Sequence, residues 1–125
     1  MGNFDFLATE WSSIYKEAKE AEQLTFTSPK ACAVICRSAM EKAVNWLYDF
    51  DLDLERPYRD NLGALIHEQS FKSILKPHNL FGDLYLLKKL GDNAAHGNSI
   101  KKEEALVGIK NLFRFLSFLL FNLDL

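Results

Sequence analysis

The stretch Ser28–Phe50 contains one Pro, at its second position, and no Gly. Ser28 can cap a helix, and Pro29 then occupies the first helical position, where a missing N–H costs nothing. At about 100° per residue, Cys32, Cys36, Met40, Val44, Leu47 and their apolar neighbours cover most of the cylinder. Ser38, Lys42, Asn45 and Asp49 share one narrow polar arc. A helix that is apolar on nearly every side is buried on most of them. The rest of the chain must therefore wrap around this segment, which is the expected central helix of an all-α bundle. Arg37 and Glu41 stand one turn apart outside the polar arc, flanked by Val34, Val44 and Tyr48. They are expected to form a mostly buried ion pair.

The chain has 125 residues, enough for one domain with a true core, taken as residues 1–125. Apolar residues make up 48% and charged residues 26%, which is ordinary for a globular protein and argues against disorder. Net charge is only −2. Residues 1–60 hold eleven acids against seven bases, and residues 61–125 six against eight. This imbalance is too mild to announce a nucleic-acid surface by itself. Cys32 and Cys36, the only cysteines, lie one turn apart without CxxC spacing or a neighbouring His pair. They read as small core residues in a reducing cytoplasm. The N-terminus has neither the basic start nor the long apolar run of a secretory signal.

A first amphipathic helix follows from Phe4, Leu7, Trp11, Ile14, Tyr15 and Ala18, and ends near Gln23. Beyond Phe50, DLDLERPYRDN has no helical period and reads as a loop that Leu52, Leu54 and Tyr58 pin to the bundle. Asp60 or Asn61 caps a short helix and Ser70 another, which ends at Pro77. A longer helix carries Leu80, Phe81, Leu84, Leu87, Gly91, Ala94 and Ala95 through His96. It stops at Gly97, the residue type that most readily turns left-handed. Gly91 costs about 1 kcal/mol in a helix interior, so its use is close approach of another helix. Asn98 or Ser99 caps a last helix from about Lys101 to Asn122. Its uncharged run after Arg114 is too short to span a membrane. Phe118, Phe121 and Leu125 fall near its weaker polar side, an apolar excess that predicts a neighbour, either a homodimer partner or the rest of a longer polypeptide. The expected architecture is about four long helices plus short ones.

P-loop, GxGxxG, HExxH and GxSxG motifs are all absent. No metal or cofactor is expected in the domain. His96 closes LKKLGDNAAHG at a helix C-terminus, where the helix dipole favours a cation. With Asn93, Arg37 and Glu41 it could bind phosphate or perform acid–base chemistry on RNA. The same polar groups could equally fix helix register. Lys88 and Lys89 flank this end, and His67 in ALIHEQSF either holds a loop or joins a binding surface.

The segments CRSAMEKAVNWLYDFDLDL, PYRDNLGALIHEQSF, LKKLGDNAAHG and EEALVGIKNLFRFLSFL resemble a helical domain at the N-terminus of R subunits of type I restriction–modification enzymes. The likeness runs from about Phe4 to Leu120. It implies a non-catalytic accessory domain whose parent is a bacterial ATP- and Mg²⁺-dependent, DNA-translocating endonuclease. Its partners are then the rest of the R subunit, the other subunits and DNA. The chain also resembles the HEPN superfamily of helical bundles, some of which are metal-independent ribonucleases. Of their Arg–polar…His signature, His96 and Asn93 match, while the nearest basic residue at the Arg position is Lys89. That likeness implies the alternative function, a ribonuclease or toxin-like enzyme using His96.

Overall fold

A computed structural model describes residues 2–122, with side-chain surroundings from 11 to 121. The described residues form an all-α bundle: α1 (Gly2–Gln23), α2 (Pro29–Phe50), α3 (Leu62–His67), α4 (Gln69–Leu75), α5 (Phe81–Ala95) and α6 (Lys102–Asn122). A 3₁₀ turn, Lys76–His78, joins α4 to α5. No described helix is long and apolar enough to cross a membrane.

The central helix is α2, which packs against α1, α5 and α6 and also meets α3. Its small residues, Ala33, Cys36, Ala39 and Ala43, are fully buried and let its neighbours approach, while Met40 and Leu47 fill the space between them. Each such large side chain contributes about 1.5–3 kcal/mol by leaving water. Cys32 and Cys36 are free, buried thiols. The hydrogen bond to the Cys32 sulfur, together with burial, pushes the Cys36 thiol above its usual value. Trp11 of α1 meets Trp46 of α2 edge-on at 5.3 Å, and Trp46 stacks on Phe50 at 4.9 Å. Among the described residues, neither indole N–H has a hydrogen-bond partner.

Several helix ends differ from the sequence expectation. Ser28 precedes α2, yet its side chain makes no capping bond; Pro29 alone marks the start. Asn61 does cap α3, its Oδ1 accepting the Ala64 N–H at 2.9 Å. For α4 the cap is Glu68, not Ser70, because the Glu68 carboxylate accepts the N–H groups of Ser70 and Phe71 and the Ser70 hydroxyl. These bonds, the hydroxyl's first, hold the Glu68 carboxyl below its usual value. Asn79 turns left-handed at φ 54°, so α5 begins only at Phe81. The stop at Gly97 is as expected: φ is +89°, the Gly97 N–H bonds Ala94 O, and the Asn98 N–H bonds Asn93 O. Those two bonds close the helix in the usual left-handed glycine motif. Neither Asn98 nor Ser99 caps α6; the Glu104 carboxylate reaches back to the Lys101 N–H instead.

Of the three residues expected to pin the loop after α2, only Leu54 is buried; Leu52 and Tyr58 are exposed. Arg56 ties the loop down by bonding Asp49 at 2.7 Å and Asn45 at 3.1 Å. Tyr48 reaches the other way, donating its hydroxyl to Leu65 O at 2.6 Å and stacking on Phe71. Burial pushes that phenol up to about 12, so it stays a donor. On α6, Phe118 is buried in the core beside the His78 ring, which corrects its assignment to an outer surface. Phe121 is exposed, and Phe4, Leu7 and Leu125 lie outside the described side chains.

Candidate functional site

Arg37 projects from α2 toward α5, and what it meets there is Asp92. Its Nε donates to Asp92 Oδ1 at 2.7 Å, and its Nη1 to Glu41 Oε1 at 3.1 Å. The second Asp92 oxygen takes Lys88 Nζ at 2.6 Å, one turn back on the same helix. Glu41, Arg37, Asp92 and Lys88 thus form one chain of charge-assisted bonds across the α2–α5 seam. Geometry at Gly91 explains how the helices come so close. A Cβ there would lie 2.5 Å from Arg37 Cβ and 2.7 Å from its Cδ. The guanidinium stem crosses α5 at Gly91, where no side chain stands in its way.

The seam is not the mostly buried pair expected from sequence. Arg37 retains 29% of its side-chain exposure and Glu41 42%. The stem is covered while the charged ends reach the rim, the usual arrangement for a long cation. Partial burial works to raise the Asp92 carboxyl. The Lys88 hydrogen bond and the Arg37 charge outweigh it and hold the carboxyl below its ordinary value. An ionised carboxylate clamped by two cations is a poor proton acceptor at neutral pH. The cluster is suited to joining helices.

The remaining candidates are dispersed. Among the described residues, no hydrogen bond or ion pair links His96 or Asn93 to Arg37 or Glu41. His96 is exposed as the C-cap of α5. The Asn93 side chain is also exposed, and its backbone carbonyl serves the closing turn. Lys89 points to solvent. His67 is exposed at the end of α3, edge-on to Phe81 at 5.2 Å and to Tyr85 at 6.0 Å. Among the described residues, no group of three His, Cys, Asp or Glu could hold a metal ion. Asp92 was missed in the sequence, where the adjacent Asn93 drew notice. The available signal was its spacing four residues after Lys88 and directly beside Gly91.

Two surface features complete the picture. Between α5 and α6 runs an apolar groove of about 190 Å³, lined by Leu86, Leu87, Leu90, Val107 and Gly108, with Glu104 and Asn111 at its edge. Leu86 and Val107 on its walls are 56% and 51% exposed. A second cleft, of about 580 Å³, opens between α4 and the start of α5. No family model, curated protein or solved structure matches the chain.

Proposed function

We propose that the chain is a non-catalytic interaction domain of the R subunit of a type I restriction–modification enzyme. It docks on the rest of that bacterial, cytoplasmic enzyme through the outward face of α5 and α6. ATP and Mg²⁺ serve the parent's motor and nuclease in this reading, and the domain uses neither. The observation that carries the interaction role is the α5–α6 groove, whose walls leave large aliphatic side chains in water. Contiguous apolar surface of this kind marks a contact site more often than a reactive one. The dispersal of His96, Asn93 and Arg37 supports the same reading over the HEPN-type ribonuclease.

Purified chain should bind the remainder of the R subunit or the assembled enzyme in sedimentation or pull-down measurements. Leu86→Asp with Val107→Asp should abolish that binding while leaving the helix content unchanged. Incubated alone with DNA and RNA, with and without Mg²⁺, the chain should cut neither. RNA cleavage that disappears in His96→Ala would overturn the proposal in favour of the ribonuclease.

A further inference from the structure

The cleft between α4 and the start of α5 is lined by Gln69, Lys72, Ser73, Lys76, Asn79 and Phe81, with Gly82 at its edge. No carboxylate is among them. Lys72 and Lys88 are the lysines that α4 and α5 hold half-buried. Lys88 has Asp92 at 2.6 Å, whereas among the described residues no carboxylate stands within ion-pair distance of Lys72 or Lys76. The natural partner by sequence is Glu68, one turn before Lys72, which could form a favourable helical pair. Glu68 is instead spent on capping α4. Lys72 Nζ rests 4.7 Å over the Phe81 ring, which fixes the cation at the cleft wall without neutralising it.

Aromatic surface continues from that wall. Tyr85 lies one turn beyond Phe81, the two rings 6.3 Å apart and nearly parallel at 20°. His67 abuts both edge-on. Tyr85 is 43% exposed. Two unpaired ammonium groups beside an accessible ring combine the two elements that hold an unpaired nucleotide: cations for its phosphate and a flat face for its base. A duplex keeps its base faces stacked inside, so it could use only the lysines.

We infer that this cleft binds single-stranded nucleic acid, with Lys72 and Lys76 on the phosphates and Tyr85 against a base. The inference goes beyond the subunit role and does not depend on it, because the cleft and the apolar groove are built from different residues.

Fluorescence anisotropy of a labelled short oligothymidylate, compared with a duplex of equal length, tests it on the whole chain. The single strand should bind more tightly than the duplex. Two phosphate contacts should weaken its binding about sevenfold between about 50 and 200 mM salt. Lys72→Gln with Lys76→Gln should lower affinity at least about fivefold and flatten that salt dependence. Tyr85→Ala should also cost about fivefold or more, with the salt dependence retained. Lys16→Gln with Lys19→Gln, the same charge removed from exposed positions on α1, should change nothing. Circular dichroism should show all variants folded. The inference is overturned if the wild-type chain does not bind the single strand, or if the Lys72/Lys76 variant binds like wild type. It is equally overturned if duplex and single strand bind alike with no effect of Tyr85→Ala.

Discussion

Lys88 and Lys72 sit on neighbouring helices at similar depth and meet opposite fates. In the α2–α5 seam, Lys88 and Arg37 share both oxygens of Asp92, and Gly91 clears room for the crossing. In the α4–α5 cleft, Lys72 has a ring beneath it and, among the described residues, no carboxylate within ion-pair distance. Where polar groups answer one another, they hold helices together and have little left to offer a ligand. Where they do not, they add little to the fold and remain available. Stability and binding are therefore expected to separate cleanly between the two regions.

The hardest blow to the seam is Asp92→Ala, which strands two partly buried cations. Its cost should lie between that of an exposed pair, below about 1 kcal/mol, and that of a fully buried one, about 3–5 kcal/mol. About 2 kcal/mol, read as a lowered urea midpoint at unchanged slope, is the expected result. The carboxyl is held below its ordinary value of 3.8, so its contribution is present above that pH and lost as pH falls through the folded-state value. Wild type and Asp92→Ala should converge in stability in acid. A pH-independent gap would mean that the penalty comes from packing instead of charge.

Gly91→Ala is the next largest. Removing the glycine gains about 1 kcal/mol of helix propensity. The added Cβ lands against the Arg37 stem close to its backbone, where no flexible end can swing aside. Overpacking of this kind costs about 1–3 kcal/mol, so a net loss near 1 kcal/mol is expected. A stabilised variant would show that α5 can shift on α2 without penalty and that the seam is looser than its distances indicate.

Glu41→Ala and Lys72→Gln should do least. The Arg37–Glu41 pair is an i,i+4 contact with its carboxylate well exposed, worth about 0.3–0.5 kcal/mol. Lys72→Gln removes a charge with no ionic partner and should stay within about 0.5 kcal/mol of wild type. A large loss at Lys72 would erase the distinction between seam and cleft.

The legible parts of the fold were those written locally. Pro29 and the unbroken apolar run bound α2, and Gly97 ends α5, because starts and stops depend on residues a few positions apart. Pairings across long separations were not legible. Arg37 and Asp92 are 55 positions apart, and the local cue, Gly91 beside Asp92, marks a close approach without saying which helix makes it. Phe118 misled for a related reason: a projection of α6 alone cannot know that His78 of the 3₁₀ turn and the core lie on that side. Glu68 was overlooked as a cap because Ser70, the commoner capping type, stands two residues on, yet the longer carboxylate reaches the N–H groups first.

The edge-on contact between Trp11 and Trp46 has an optical consequence. These are the only two tryptophans, and both belong to the joint between α1 and α2. Intrinsic emission therefore watches that joint and is nearly blind to α3 through α6, whereas far-ultraviolet ellipticity weighs every helix alike. Coincident melting by the two signals would certify that α1 leaves with the rest of the bundle in one cooperative step. An earlier emission change would identify α1 as a separately detachable strut, with the apolar flank of the central helix uncovered while the other helices still stand.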